Sequence, residues 1–531
     1  MAKAYPIEAK GERLNPVECQ TIVAHYLGDE ILRAAIGRQS GGMLCVIPQP
    51  EVLTLIRIRD QIPSYRSGCV AAMPGLQSAM KLNNLRPLRL IWLFSIFASF
   101  AHAAESTNVV LLLSDDHNFR ALGCSGNESI RTPNLDRLAE EGMFFSRCFN
   151  PNPICGPARA SIYTGQDSWT NGVIRNGIPI DESSPLLPNL LADAGYETSF
   201  IGKWHNDGKP WTRGYSSGGR CWAGGVFDQF EMTLTDFGGG PETRKVAEAY
   251  SSTVFTDDAV AYLEKDHAKP FLLVLAYTVG HDAFLAPPGY EGKYREDEIS
   301  VPPNFLSKPP FEQFNPLIRD ETVLPFPRKE TDVQGATAEY YAMFEHLDEQ
   351  VGRILTALEA KDLAKETMVV FASVKGLSLG SHGIIGKQTM YEEGLRSSLI
   401  VRHPTLRSDG KATSELVSTM DILPTICEAA GVEIPEAVEG ESLLGIYEGT
   451  GKGKERLFFS YHDPRRSVVT RAVRTKRYKL IQHLLTDERE LFDLENDPYE
   501  LTNLMGTAEG TKIEPKLTRE LMLWRESGEG K

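Results

Sequence analysis

Polar side chains follow four apolar segments that predict β-strands, at the point where each strand would end. The strand candidates are residues 108–114, 197–201, 270–277 and 367–373. The polar residues that follow them are Asp115, Asp116, Lys203, His205, His281 and Lys375. The carboxyl ends of parallel strands meet at one edge of a sheet, where ligands bind. We therefore expect these side chains to converge, although each one alone is as readily a helix cap or an ordinary core or surface residue.

A cysteine lies between the first two of these strand ends, in the segment Cys155-Gly-Pro-Ala-Arg159. Pro157 predicts the first turn of a helix with Cys155 at its N-terminus, where free N–H groups and the helix dipole favour an anion. Arg159 can donate two parallel hydrogen bonds to a sulfate or phosphate group. The segment therefore predicts an oxyanion site, whereas an isolated cysteine would be a buried thiol or half of a disulfide.

The segment 155–165, CGPARASIYTG, resembles the signature of the formylglycine-dependent, arylsulfatase-like sulfatases of the alkaline phosphatase superfamily. The resemblance continues in the family order and covers essentially all of residues 108 to about 504. The matching segments are NVVLLLSDD at 108–116, TPNLD at 132–136, GKWH at 202–205, the strand end at His281, GSHGIIGK at 380–387 and ELFDLENDPY at 490–499.

The resemblance implies that Cys155 is oxidised to formylglycine by dedicated machinery of the host. One hydroxyl of the hydrated aldehyde would attack the sulfur of a sulfate ester, and the other would later expel sulfate by re-forming the aldehyde. Asp115 and Asp116, with the formylglycine, would bind Ca²⁺ or Mg²⁺, which prefer oxygen ligands. The metal would activate the attacking hydroxyl and polarise the sulfate.

The same resemblance implies roles for the remaining polar residues. Lys203, His281 and Lys387 match the positions that contact the sulfate group. His205 and Arg159 match the groups that orient and stabilise the formylglycine. One of the histidines would protonate the leaving alkoxide.

The chain departs from the family pattern at residues 372–376, ASVKG. Most relatives carry Asp followed by Asn or His where this chain has Val374 and Lys375, and those residues complete the metal site. Valine cannot bind a metal, and at roughly 4 Å with an effective dielectric constant near 20 two unit charges repel by about 4 kcal/mol, before doubling for a dication. Two hypotheses remain open. In the first, the site still binds sulfate but binds metal weakly, Lys375 pairs with Asp115 and Asp116 in the metal's place, and turnover is greatly reduced. In the second, a rearranged loop lets the aspartates, the formylglycine and waters hold a cation well enough for useful catalysis.

The elements that must position these residues predict an α/β protein. From residue 108 onward, short apolar strand candidates alternate with amphipathic helix candidates, which is typical of a large mixed, mostly parallel sheet sandwiched by helices. A long helix is expected at about 337–358. Between 284 and 332 prolines crowd in, so that segment is either a long loop bordering a site or a surface insertion without function.

Two domain boundaries follow from changes in this pattern. We assign residues 105–452 to the catalytic domain. Beyond it, hairpin-like strands at 468–473 and 478–483 and a terminal helix near 513–524 predict a small C-terminal α+β subdomain at 453–531.

Residues 80–103 have the features of a secretory signal peptide. The basic residues are Lys81, Arg86 and Arg89. They precede an apolar stretch at 90–100, too short to span a bilayer comfortably, and the small residues of Ala101-His-Ala103. We therefore expect a periplasmic or secreted protein and a start-site artefact at residues 1–79. The alternative is a genuine cytoplasmic extension followed by a membrane anchor.

Composition limits the partners. The 531 residues carry a formal net charge of -15, which opposes nucleic-acid or anionic-membrane binding, so an anionic substrate needs a local cluster of cations. Five cysteines follow the signal peptide, and the odd number leaves at least one free, modified or intermolecular if the others pair. These are Cys124, Cys148, Cys155, Cys221 and Cys427.

These observations predict a sulfatase that hydrolyses a sulfated carbohydrate or a similar small sulfate ester through formylglycine. A phosphodiesterase or phosphonate hydrolase of the same superfamily is an alternative, because the nucleophile and the cations also suit phosphoryl groups. A non-catalytic binder of sulfated glycans is a third reading, favoured by Val374 and Lys375.

Overall fold

A ten-stranded sheet forms the centre of the computed structural model, in the order β12-β2-β11-β9-β1-β8-β4-β5-β6-β7. Its strands are β1 Asn108–Ser114, β2 Met143–Phe145, β4 Glu197–Lys203, β5 Ser217–Trp222, β6 Thr233–Asp236, β7 Lys245–Val246, β8 Phe271–Ala276, β9 Thr367–Ser373, β11 Leu399–Arg402 and β12 Ala412–Thr413. The five central strands, from β9 to β5, are parallel, whereas β11, β6 and β7 pair antiparallel with their neighbours. The sheet is mixed and mostly parallel, as predicted.

The structure describes residues 107–529, except for 208, 226–227, 312–318, 407–409 and 464–467, and describes only the backbone of 319 and 525–529. The predicted signal peptide at 80–103 and the doubtful segment 1–79 therefore lie outside the described residues. Among the described helices, none is both long enough and apolar enough to cross a membrane.

Helices cover both faces of the sheet. They are α1 Pro133–Glu141, α2 Cys155–Thr164, α3 Leu187–Asp193, α4 Ser251–Leu263, α5 Glu330–Ala360, α6 Glu392–Leu395, α7 Ile422–Ala429, α8 Leu444–Tyr447 and α9 Gly510–Glu529. Alternate side chains of β1 face opposite sides: Val110 and Leu112 pack with α1, α4 and α5, while Leu111 and Leu113 pack with α2, α3 and α7. This alternation produces two apolar cores, one on each face.

Two smaller sheets complete the fold. The first has the order β10-β3-β13, from strands β3 Cys148–Phe149, β10 Arg396–Ser397 and β13 Val417–Ser418. The second is antiparallel and consists of β14 Arg456–Asp463, β15 Val468–Thr475, β16 Tyr478–His483 and β17 Glu488–Asp493. Leu517 and Leu521 of α9 pack on Val473, Leu480 and Leu491 of this C-terminal sheet. The predicted small α+β unit is therefore present.

The C-terminal sheet also packs against the segment that leads into Cys155. Phe459 and Tyr461 of β14 share an apolar cluster with Ile154, and the N–H of Ser460 donates to the carbonyl of Pro151 at 3.1 Å. The start of α2 is thus held between the large sheet and the C-terminal sheet. This packing fixes the position of Cys155.

Candidate active site

The ends of β1, β4, β8 and β9 meet at one edge of the large sheet. Residue-by-residue pairing places Ser114 beside Ser373, and Leu113 beside Ala276. Beyond the strands, the N–H of Asp115 donates to the carbonyl of Val279 at 3.1 Å, and the N–H of Val374 donates to the carbonyl of Ser114 at 2.9 Å. The backbone following each strand is therefore fixed, and the polar side chains converge. Lys203 is the last residue of β4, which is two residues longer than expected.

Asp115 is fully buried among cations. Lys203 Nζ donates to Oδ2, Lys375 Nζ lies 3.1 Å from Oδ1, and Arg159 Nη2 lies 3.5 Å from Oδ2. Burial raises the pKa of Asp115, but Lys203, Lys375 and Arg159 together hold that pKa well below its usual range. Asp115 is therefore ionised and permanently paired with positive charge.

Asp116 is the second buried carboxylate and takes two lysines. Lys375 Nζ contacts Oδ1, and Lys387 Nζ contacts Oδ2. Its backbone has φ of 43°, and its carbonyl accepts a 2.6 Å hydrogen bond from the hydroxyl of Tyr340. Lys375 is thus in contact with both aspartates, which is the arrangement that the first of the two hypotheses predicted.

The charge of Lys375 depends on these two contacts. Burial lowers the pKa of Lys375 to about 7, although the negative charge of Asp115 partly offsets this lowering. The second carboxylate in contact, Asp116, also favours the charged ammonium form.

Cys155 begins α2, with Ile154 before it in extended conformation and Pro157 in the first turn. Its Sγ and one oxygen each of Asp115 and Asp116 all lie within 4.8 Å of one another. Burial and Asp115 raise the pKa of the Cys155 thiol, but Lys203, Lys387 and a hydrogen bond with His281 leave it below its ordinary value. The thiol therefore sits where positive charge is concentrated, as the helix N-terminus predicted.

His281 and Lys387 complete the surroundings of Cys155. His281 Nδ1 donates to the carbonyl oxygen of Asp282 at 2.9 Å and also lies 2.9 Å from the Asp282 carboxylate. His281 Nε2 lies 3.3 Å from Lys387 Nζ. Burial, Lys387 and Lys203 lower the pKa of His281, but hydrogen bonds with Asp282 and Cys155 raise it above the ordinary value.

Arg159 and His205 support the site from the side of β4. Arg159 Nη1 donates to the carbonyl of Lys203 at 2.8 Å, so its guanidinium fixes the strand end and Asp115. His205 has φ of 54°, and burial, with help from Lys203 and Arg159, lowers its pKa to about 2. Its carbonyl oxygen lies so near Gly156 that a Cβ there would be 3.4 Å away. The structure thus places His205 beside Cys155 as a neutral residue.

Three polar residues near the site were missed by the sequence analysis. Asp282 orients His281, Asp320 Oδ2 lies 3.5 Å from Lys387 Nζ, and Asn176 Oδ1 accepts the N–H of Gly156 at 2.9 Å. Asp282 directly follows His281, so its position in the chain was a usable signal. Asp320 lies in the proline-rich segment, which therefore borders the site. No motif marks Asn176.

The residues present do not fit a divalent cation in this arrangement. Val374 is fully buried in the apolar core that contains Leu113 and offers no ligand atom. Asp115, Asp116 and Cys155 bring only three ligand groups together, whereas Ca²⁺ takes six to eight oxygen ligands and Mg²⁺ takes six. The ammonium of Lys375 contacts both aspartates.

A second set of residues that could bind a metal lies near the site and consists of Asp116, His281 and Asp282. This set also has a lysine ammonium beside it. Lys387 contacts Asp116 and lies 4.0 Å from the carboxylate of Asp282. Each of the two groups therefore contains a lysine. The cysteines of the described chain, Cys124, Cys148, Cys155, Cys221 and Cys427, are all free thiols.

Comparison with known proteins identifies the family. Residues 107–432 match the family model named Sulfatase, and residues 380–527 match the model named N-sulphoglucosamine sulphohydrolase, C-terminal. The N-acetylglucosamine-6-O-sulfatase of Bacteroides thetaiotaomicron is 30% identical over 517 residues, covering 84% of this chain and 91% of that protein. The N-acetylgalactosamine-6-sulfatase of Mus musculus is 29% identical over 475 residues, covering 81% of this chain and 82% of that protein.

Solved structures agree. A protein solved in complex with its substrate D-glucosamine-2-N,6-O-disulfate superimposes with a TM-score of 0.71 at 26% identity, covering 80% of this chain and 98% of that chain. The phosphonate monoester hydrolase of Agrobacterium radiobacter superimposes with a TM-score of 0.68 at 21% identity, over 80% of this chain and 96% of that one, and shows the shared fold alone. The chain belongs to the sulfatase family of sulfuric ester hydrolases and has their alkaline phosphatase-like fold.

Proposed function

We propose that this protein hydrolyses the sulfate ester of a carbohydrate at a nucleophile derived from Cys155. Water and the ester would give the free sugar hydroxyl, sulfate and a proton. The observation that carries the proposal is the position of Cys155, at a helix N-terminus where Lys203, Lys387 and His281 all act on its thiol. The relatives named for N-acetylglucosamine-6-sulfate and N-acetylgalactosamine-6-sulfate favour a sulfated hexosamine as substrate.

Lys203 and Lys387 are suited to bind the sulfate group. Lys203 is fixed by Asp115, and Lys387 is fixed by Asp116 with Asp320 3.5 Å away. An ammonium has three N–H donors and attracts negatively charged oxygens, so a sulfate group can join the carboxylates in pairing with these lysines. Both lysines are buried, which strengthens their attraction for an anion.

Formylglycine at position 155, when formed, supplies a hydrated aldehyde, with one hydroxyl to attack sulfur and a second that allows sulfate to leave. Around it, Arg159 and Lys203 hold the strand end, and the N-terminus of α2 favours negative charge. His281 is anchored through Nδ1 by Asp282, so its Nε2 is positioned to give a proton to the leaving sugar oxygen. Each of these steps uses the chain's own residues.

We also infer that the protein is exported to the periplasm or secreted. The signal-peptide features of residues 80–103 support this. N-terminal sequencing of the exported protein should begin near residue 104. Recovery of a protein that retains residues 1–79 would contradict the expected start-site artefact at those residues.

Two measurements on one preparation test the hydrolase proposal. The protein is coexpressed with formylglycine-generating machinery, and the mass of the peptide that holds Cys155 reports conversion. Sulfate release from N-acetylglucosamine 6-sulfate is then measured by ion chromatography, with Cys155→Ala as the control. We expect release by the converted protein and none by Cys155→Ala. Equal release by both would overturn the proposal.

A second candidate is a binder of sulfated glycans without turnover, and the contacts of Lys375 with both aspartates favour it. Full conversion at position 155 with tight binding and no sulfate release would identify this function. Matched aryl sulfate and aryl phosphonate esters distinguish a sulfatase from a phosphonate hydrolase. A sulfatase should release product only from the sulfate ester at a measurable rate, and a phosphonate hydrolase only from the phosphonate ester.

A further inference from the structure

We propose that the ammonium of Lys375 takes the place of the divalent cation in this sulfatase, so that the site binds its anionic ligand without metal. The identity of that ligand rests on the proposed function, but the absence of a metal requirement does not. This arrangement is the first of the two hypotheses above. It requires that Lys375 lies between the two aspartates and that its backbone is held in place.

Lys375 occupies the point where a cation between the two aspartates would bind. Its Nζ is 3.1 Å from Asp115 Oδ1 and contacts Asp116 Oδ1. Two adjacent buried carboxylates need positive charge nearby, because an unpaired buried charge is strongly unfavourable. A lysine supplies that charge from within the chain. A dication entering the same space would displace the ammonium or repel it at close range.

The backbone around Lys375 leaves little room for a different arrangement. The N–H of Val374 donates to the carbonyl of Ser114 at 2.9 Å, and the carbonyl of Lys375 accepts the N–H of His117 at 3.0 Å. At Gly376 a Cβ would lie 1.9 Å from the carbonyl oxygen of Glu393, so the chain passes directly against that loop. Both sides of the residue are therefore fixed. This packing argues against the loop rearrangement that the second hypothesis requires.

The residues adjacent to Lys375 in the sequence offer no carboxylate to replace the missing metal ligands. Residues 367–389 contain no Asp or Glu. Asp282 lies near the second aspartate, but Lys387 occupies the space beside that pair, in contact with Asp116 and 4.0 Å from Asp282. Within the described residues, both groups of ligand types at the site thus have a lysine among them.

The charges that remain still suit an anion. Besides Lys375, the cations Arg159, Lys203 and Lys387 lie around the two aspartates and Cys155. Replacing a dication by one ammonium removes one positive charge but leaves the residues that would contact the sulfate. We therefore expect affinity for the sulfate group to persist in a chelator, while the polarisation that a dication would give the ester is lost.

The test compares the native protein with the double variant Val374→Asp, Lys375→Asn, and uses Lys452→Asn, an exposed lysine, as the matched control. After dialysis against calcium, metal content is measured by mass spectrometry, and thermal unfolding is followed with and without calcium. Binding of N-acetylglucosamine 6-sulfate is measured by calorimetry with and without a chelator.

We expect the native protein and Lys452→Asn to hold far less than one equivalent of metal, to show no calcium-dependent shift in Tm, and to change Kd by less than about twofold in chelator. The double variant should gain about one equivalent and a higher Tm in calcium. One equivalent of calcium in the native protein, or loss of its binding in chelator, would overturn the proposal. If the double variant does not fold, the native measurements decide alone.

The failure of this inference differs from the failure of the proposed function. Metal content and the calcium-dependent shift in Tm require no substrate, so they judge Lys375 even if the sulfated sugar is not a ligand. A native protein that lacks metal and binds no sulfated sugar would contradict the proposed function alone.

Discussion

Two clusters of charged side chains lie inside this protein and differ in what their cations contact. The strand-end cluster has two carboxylates and four cations: Asp115, Asp116, Arg159, Lys203, Lys375 and Lys387. The interface cluster joins α6 to the C-terminal sheet and has three of each: Arg120, Glu392, Glu393, Arg474, Lys479 and Glu500. Two further buried carboxylates, those of Asp282 and Asp320, lie 4.0 Å and 3.5 Å from Lys387 Nζ.

The interface cluster pairs its charges internally. Glu392 accepts from Arg474 at 3.1 Å and from Lys479 at 3.2 Å, and Glu393 accepts from Arg120 at 2.7 Å. Burial raises the pKa of Glu392, but Arg474 and Lys479 hold that pKa below its ordinary value. These pairs connect α6 to the C-terminal sheet, so the cluster has a structural role between two parts of the fold.

The strand-end cluster instead concentrates cations on Cys155 and on two carboxylates. Lys203 and Lys387 act on the Cys155 thiol as well as pairing with Asp115 and Asp116. Both clusters are largely buried, so the presence of Cys155, and not burial, distinguishes the binding site from the structural cluster. Substitutions in the interface cluster should change stability, and substitutions in the strand-end cluster should change sulfate binding.

The largest effect is expected for Glu392→Ala. It leaves Arg474 and Lys479 buried with less negative charge, so the free energy of unfolding should fall by about 3–5 kcal/mol. Urea denaturation measures the change, with Glu455→Ala as the control because its carboxylate is 74% exposed and should change stability by less than about 0.5 kcal/mol. Sulfate binding by the folded variant should be unchanged. If Glu392→Ala lowers the free energy of unfolding no more than the control does, the interface cluster has no structural role.

A smaller effect, of the opposite kind, is expected for Lys203→Met. Loss of one charged donor should weaken binding of the sulfated sugar by about 1.5–3 kcal/mol, which is roughly ten- to hundredfold in Kd. Stability should change less than for Glu392→Ala, because Asp115 keeps Lys375 at 3.1 Å and Arg159 at 3.5 Å. Calorimetry checks the affinity, with the exposed Lys452→Met as control. Native affinity in Lys203→Met would show that β4 does not contribute to the anion site.

A third effect concerns the pH dependence of the interface cluster. Burial raises the pKa of Glu500 from 4.5 to about 8, with Lys479 acting against the shift and Glu392 and Glu393 adding to it. The folded protein therefore binds more protons than the unfolded chain between about pH 4.5 and 8, so stability should fall as pH rises through that window. Glu500→Gln should flatten this dependence in urea denaturation at several pH values. Parallel curves for the two proteins would show that Glu500 does not titrate in this range.

The strand-end cluster could be predicted because topology determines it. Parallel strands with polar residues at their carboxyl ends bring Asp115, Lys203, His281 and Lys375 together whatever the sequence distance. Asp320 could not be predicted, since it lies in the proline-rich segment without periodicity. The first two turns of α5 were missed for the same reason, although Glu330 and Asp332 favour a helix N-terminus there.

The interface cluster had no comparable signal. Glu392 and Glu500 are 108 residues apart in the sequence. In the fold, the N–H of Glu392 donates to Glu500 Oε2 at 2.8 Å. In the sequence, such acidic residues look like an ordinary solvated surface, and only the docking of the C-terminal sheet buries them. The strands of two to four residues, such as β3 and β13, were missed because a period of two cannot be recognised over so short a length.

The central claim is tested most directly by a crystal structure of the converted protein grown with N-acetylglucosamine 6-sulfate and calcium, with anomalous data to locate calcium. The account predicts a sulfate group within hydrogen-bond distance of Lys203 and Lys387 beside residue 155, and Lys375 Nζ between Asp115 and Asp116. An anomalous calcium peak between the two aspartates, with Lys375 turned away from them, would contradict it.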